Sequence, residues 1–218
     1  MNRVVVVAPH PDDEIIGCGG TLLSHKKNGD KIFVLYLTNG EYFVRDETEY
    51  LNRVFIRKNE AKSVCEKAGF KFLYWPNISA RSIRENYNIL LRDLVKIFQV
   101  IKPNYIYMPH DKEKDMDHVL CHNITKEAYW LSQTVNENNI FNFTSASIFN
   151  YEIWSPQNLI HKCCNITEYI DYKIELINTY KSQTQGLEYS EGIKGLNKYR
   201  ASFSGIMGYA EAFTLEAL

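Results

Sequence analysis

Long apolar runs are missing from this chain of 218 residues. The strongly hydrophobic stretches, such as Ile32 to Leu37, end after a handful of positions, whereas a membrane helix needs roughly 20. No membrane span is expected. An excess of either charge is missing too: 25 basic residues stand against 26 acidic ones, a net charge of -1. That leaves no basic footprint for nucleic acid or an anionic membrane surface. Cysteines are few and odd in number (Cys18, Cys65, Cys121, Cys163, Cys164), and none shows C-x-x-C spacing. Reduced, mostly buried thiols are expected rather than a disulfide framework or a cysteine metal site. The amino terminus lacks the apolar stretch of a secretory signal, so the expected location is cytoplasmic. Repeats, low-complexity tracts and linkers are absent as well. The length suits one core, and a single domain over 1–218 is expected.

What the chain does have is alternation. Strand-like segments at 3–8, 31–38, 72–75, 105–108 and 146–153 are separated by helix-like segments at 14–28, 47–68, 82–101, 118–131 and 168–180. This order predicts an α/β fold, with a mostly parallel sheet and helices on both faces. Residues 183–207 mix glycine and tyrosine without a clear period, and read as a lid or a surface excursion.

The first strand, Val4 to Ala8, ends in Pro9-His10-Pro11-Asp12-Asp13-Glu14. A buried strand that runs straight into a histidine and three carboxylates places them at its carboxyl end, where open α/β sheets bind ligands. His10 and Asp13 are three apart and face the same way if a helix begins there, which makes a metal half-site. A second polar cluster follows the fourth strand, from His110 through Asp111, Glu113, Asp115 and Asp117 to His118, with His122 four residues on. Parallel strands open both loops on one edge, so one of these three histidines is expected to join His10 and Asp13. Two imidazoles and a carboxylate, with a position left for water, form a catalytic zinc set. Asp12, adjacent but pointing elsewhere, suits the general base. Two other readings exist: Asp12 caps the following helix, or Gly17-x-Gly19-Gly20 forms a dinucleotide loop, although the G-x-G-x-x-G spacing is absent.

The segment Ala8 to Glu14 closely resembles the HPDDE signature of the PIG-L/LmbE-like family of zinc-dependent N-acetylglucosaminyl deacetylases. Thr38-Asn39-Gly40-Glu41, Arg57 with Glu60-Ala61, Asp117-His118, Lys173, Ser182-Gln183 and Tyr209 to Phe213 also resemble family positions. The resemblance implies a single-domain, Rossmann-like three-layer fold. One zinc ion would be held by His10, Asp13 and His118, with Asp12 as general base and Arg57 contacting substrate hydroxyls or a neighbouring anionic group; the other reading of Arg57 is a surface helix arginine paired to Glu60 or another nearby carboxylate. Asp117 is read as orienting a histidine. The implied reaction removes the acetyl group from the nitrogen of an N-acetylated amino sugar, the small-molecule partner expected here; a homo-oligomer is compatible with it.

One position departs from the family. A histidine that stabilises the tetrahedral intermediate or protonates the leaving amine is replaced by Asp115, which as a carboxylate has no proton to donate to an oxyanion. His110, at the strand end, is expected to substitute ahead of His122; a protonated Asp115 and zinc alone polarising the carbonyl are the other routes. The alternatives are a metal- and sugar-binding protein with altered catalysis, an amidase on a non-sugar substrate, and a non-haem iron site. Tyr42, Phe43, Trp75 and Trp154 are candidates for a sugar-stacking face.

Overall fold

The computed structural model describes residues 1–41, 44–134, 145–185 and 188–217. In chain order the first half comprises β1 (Arg3–Ala8), α1 (Asp13–Lys27), β2 (Lys31–Tyr36), α2 (Glu47–Ala68), β3 (Lys71–Tyr74), α3 (Tyr87–Ile101) and β4 (Tyr105–Pro109). The second comprises α4 (Met116–Thr134), β5 (Ser147–Tyr151), β6 (Lys162–Asn165), α5 (Ile170–Ile177), α6 (Lys181–Thr184), α7 (Tyr189–Phe203) and β7 (Ala210–Leu215).

Why β1 is a valine run rather than an alternation follows from its place. It pairs in parallel with β2 on one side and β4 on the other. Val4, Val6 and Ala8 enter one core with residues of α1, α2 and α5, while Val5 and Val7 enter a second core with α3 and α4. A strand covered on both faces needs apolar residues at every position. The sheet order is β3-β2-β1-β4-β5-β7-β6, giving the expected three layers. α1 leaves β1 for one face and α4 leaves β4 for the other, so a crevice opens between the carboxyl ends of these neighbouring strands.

Two parts of the chain differ from expectation. Residues 183–207 are largely α7, packed through Ile193, Asn197 and Ala201; Gly192 and Gly195 weaken its helical signal. It precedes β7, which pairs antiparallel with both β5 and β6. The helix expected from residue 82 begins at Tyr87, because Arg81 has a left-handed backbone (φ 69°) and turns occupy the residues between.

The glycines of α1 serve packing. A Cβ at Gly17 would lie 2.2 Å from the Tyr151 ring, and one at Gly20 2.7 Å from Ile166. The helix is kinked at Cys18 (φ -143°). Glu211 accepts the amides of Gly20 and Thr21 beyond that kink, and buried Lys173 bonds both Glu211 (2.7 Å) and the Ile16 carbonyl (2.8 Å). Lys173 and the β7 segment thus stitch the helix that begins at the candidate site.

Candidate metal centre

The turn after β1 is built against backbone preference. Asp12 has φ 114°, a region costly for any residue with a side chain. Several bonds hold it there. Arg57 donates to the Pro11 carbonyl (2.7 Å), and the Asp12 amide donates to Glu14 Oε2 (3.1 Å). Buried Glu14 in turn accepts the hydroxyls of Tyr36 (2.8 Å) and Tyr180 (2.6 Å) at Oε1. Gly40, at φ 69°, leaves the guanidinium its room, since a Cβ there would lie 2.4 Å from it. The Asp12 side chain makes no capping hydrogen bond, so the capping reading does not account for it. Its nearest charged partner is Arg57, 3.5 Å away. Burial pushes the Asp12 carboxyl up to about 6, against the pull of Arg57.

His10, Asp13 and His118 come together, all buried. Asp13 Oδ2 lies 3.2 Å from His10 Nδ1 and 3.4 Å from His118 Nε2. Ligand bonds of 2.0–2.1 Å in a tetrahedron set ligand atoms about 3.3–3.4 Å apart, so these separations suit one small cation. The two histidines differ in their other contacts. His10 Nε2 lies 3.0 Å from Asp117 Oδ2, an oxygen that also accepts the Arg81 amide at 2.7 Å. Burial lowers the His10 pKa, but Asp117 and Asp13 outweigh it and raise the imidazole to about 9. His118 is fully buried, and neither ring nitrogen has a hydrogen-bond partner among the described residues. Its Nδ1 faces Glu113 Oε2 at 3.7 Å. An orphaned imidazole is costly as a neutral group and well suited as a metal ligand.

The second cluster is less uniform than its sequence suggests. His110 lies beyond Glu113 from His118. Its Nδ1 accepts the Lys112 amide (3.1 Å), and its Nε2 is 2.7 Å from the Ser155 carbonyl and 3.2 Å from Glu113 Oε1. With both nitrogens engaged, this placement does not suit the expected substitute acid. His122 bonds the Pro109 carbonyl and is also engaged away from the trio. Asp115 forms a two-point pair with Arg81 (2.6 and 2.8 Å), so both its oxygens are engaged as acceptors. His10, Asp115 and Asp117 form a second group close enough to hold an ion.

Arg57 does not pair with Glu60, which is taken by the Ser182 amide and hydroxyl. It faces the Asp12 turn and borders a cavity of about 280 Å³ with Glu41, Arg53 and Ser182. Trp75 donates to Asn39 and packs against the core, stacked on Phe72, whereas Trp154 is exposed beside Tyr189. Tyr42 and Phe43 lie outside the described residues. Sequence reasoning missed Glu113, Arg81 and the Glu14 tyrosines. Glu113, three residues after His110 and within the cluster, carried a readable signal. Burial raises its carboxyl, but His110, His118 and the Ile153 amide outweigh that and hold it well below the usual range.

A doubly wound sheet with a buried His–Asp–His group at its carboxyl edge defines the class: an α/β protein whose sheet edge carries three side chains close enough to hold a metal ion. The sequence profile of the PIG-L family, GlcNAc-PI de-N-acetylase, matches residues 5–129, and the chain belongs to this family. A Bacillus cereus relative, probable N-acetyl-alpha-D-glucosaminyl L-malate deacetylase 2, is 26% identical over 211 residues, covering 92% of each chain. Among solved structures, the N,N'-diacetylchitobiose deacetylase of Pyrococcus horikoshii aligns with TM-score 0.83 at 23% identity, over 99% of this chain and 84% of that one. The 4-carboxy-2-hydroxymuconate hydratase GalB of Pseudomonas putida aligns with TM-score 0.84 at 20% identity, over 100% and 97%. At these identities the structural likeness establishes the fold, which hosts more than one chemistry. Among the described residues no helix is long and apolar enough to cross a membrane.

Proposed function

We propose that this protein is a zinc-dependent N-deacetylase that hydrolyses the acetamide of an N-acetylated amino sugar conjugate. The observation that carries the reading is His118, a buried imidazole without a hydrogen bond among the described residues, 3.4 Å from the Asp13 oxygen that also meets His10. His10 Nδ1, Asp13 Oδ2 and His118 Nε2 would hold the ion, a mixed nitrogen and oxygen set of three that suits zinc. Bound there, zinc supplies Lewis acidity toward water and the acetyl carbonyl.

The protein's own groups do the rest. Asp12 takes a proton from the attacking water as its oxygen bonds to the acetyl carbon. The carbon–nitrogen bond then breaks, and Asp12 returns the proton to the departing amine, leaving acetate and a free amino sugar. Arg57 keeps Asp12 on station through the Pro11 carbonyl and the carboxylate itself. Asp117 fixes the His10 ring from behind, as partners of ligating histidines do. Asp115 holds Arg81, whose amide fixes Asp117 in turn. His110 supports the loop rather than the proton transfer.

Asp12→Asn tests this reading. The variant should retain stoichiometric zinc by elemental analysis while acetate release from N-acetylglucosamine conjugates falls by about 10²–10⁴-fold. Full activity would remove Asp12 from the mechanism. Zinc-loaded wild-type protein that binds such sugars without releasing acetate would favour the binding-protein alternative.

A further inference from the structure

A cavity of about 500 Å³ opens at the same sheet edge as the trio, between α1, the segment after β5 and α7. Its apolar lining includes Ile16, Ile153, Trp154, Tyr189, Ile193 and Leu196. It adjoins the candidate metal centre through two elements. Ile16 and Gly17 follow Asp13 within one helical turn of α1. The Ile153 and Trp154 amides bond Glu113 (2.8 and 3.1 Å), the carboxylate facing His118. The Trp154 and Tyr189 rings lie 5.5 Å apart and make a partly exposed aromatic corner.

Charge narrows what fits. None of the described lining residues is basic; Glu152, Glu188 and Glu211 are acidic. The cations nearest these carboxylates are already paired, Arg200 with Glu152 and Lys173 with Glu211. An anionic group would find no partner here and would meet negative charge. Apolar walls with an aromatic corner instead favour a neutral ring or short chain.

We propose that this cavity is the subsite for a neutral, largely apolar group that the substrate carries next to its acetamido sugar, an inference that rests on the deacetylase reading. The chemistry is the same whether that group is the aglycone or a larger N-acyl substituent. It disfavours an anionic aglycone such as malate, which the name of the Bacillus cereus relative contains.

Two glycines of α7 make the test clean. A Cβ at Gly192 or at Gly195 meets nothing within 4 Å, and only Gly192 lines the cavity. Gly192→Leu therefore adds a side chain at the exposed rim of the cavity, while Gly195→Leu controls for the change in helix propensity that both share. Zinc-loaded proteins are assayed for amide hydrolysis on the methyl, phenyl and malyl glycosides of N-acetylglucosamine and on methyl N-benzoylglucosaminide. Binding of phenyl glucoside, which has no amide, is followed by fluorescence with Trp154→Phe as the blank.

The expected result is a kcat/KM at least about tenfold higher for phenyl than for methyl or malyl glycosides. Gly192→Leu should abolish that preference and weaken phenyl glucoside binding, and Gly195→Leu should do neither. A preference for the benzoyl amide in place of the phenyl glycoside also supports the subsite and assigns the group to the acyl side. Equal rates on all substrates, or indifference to Gly192→Leu, overturn the proposal while leaving the deacetylase reading intact. Binding of phenyl glucoside that Gly192→Leu removes, with no hydrolysis of any amide, supports the subsite and overturns the deacetylase reading.

Discussion

After β1 the chain presents two candidate ligands within one turn and supports them from close by: Asp13 accepts the His10 amide at 3.0 Å, and Glu14 accepts that of Asp12. After β4 it presents one ligand, His118, and supports it from far away. Glu113 collects the amides of Ile153, Trp154 and Ser155, and Asp115 and Asp117 bind the side chain and amide of Arg81. The two histidines mirror the contrast. His10 sits between two carboxylates, whereas His118 has no hydrogen bond among the described residues. The first loop satisfies its own polar groups locally; the second depends on long-range contacts.

Replacing each histidine by leucine should break this comparison most sharply. Both variants are expected to lose the ion, seen as sub-stoichiometric zinc, and to drop to background acetate release. Their metal-free stabilities should then diverge. His118→Leu removes an unsatisfied buried group but also the imidazole that faces Asp13 and Glu113, so its denaturation midpoint should fall by less than that of His10→Leu. His10→Leu leaves Asp13 and Asp117 buried without their shared partner and should cost about 3–5 kcal/mol. Equal midpoints would mean that the two rings are equivalent in the empty site.

Much of the first loop was legible because its logic is contiguous. A valine run, a turn and carboxylates three residues from a histidine are short-range patterns, and the alternation of strand and helix periods carried the mostly parallel sheet. The second loop was legible only as a cluster. Which of His110, His118 and His122 turns inward depends on Glu113 reaching the segment after β5 and on Arg81 turning left-handed, contacts between residues more than 30 positions apart. Resemblance to the family, not spacing, separated His118 from its neighbours. α7 and β7 escaped for a related reason: glycines blur the helix, and an antiparallel strand at the sheet's far side leaves no trace in the βα alternation.

Smaller effects sharpen the contrast further. Asp117→Asn keeps the shape behind His10 but loses the charge, and should weaken zinc affinity by roughly 10–100-fold in competition with a chelating dye. Unchanged affinity would detach Asp117 from the ligand it backs. His110→Asn should lower kcat by less than about tenfold, below the range of a proton-transferring group. A larger fall, together with loss of a limb in the pH profile, would return His110 to the chemistry as the missing acid.

The smallest effect belongs to His122, the third histidine of the second cluster. Burial holds its imidazole below the ordinary 6.5, against the Pro109 carbonyl and Glu216. The unfolded chain therefore takes up this proton at a higher pH than the folded one. Stability from His122 is fully present above about 6.5 and declines as pH falls below it toward the folded value. His122→Asn, which keeps a donor for the Pro109 carbonyl, should flatten the fall in unfolding free energy between about pH 6.5 and 5 relative to the parent. Equal slopes would mean that the ring accepts its proton in place, with Glu216, 3.7 Å from Nε2, as the partner.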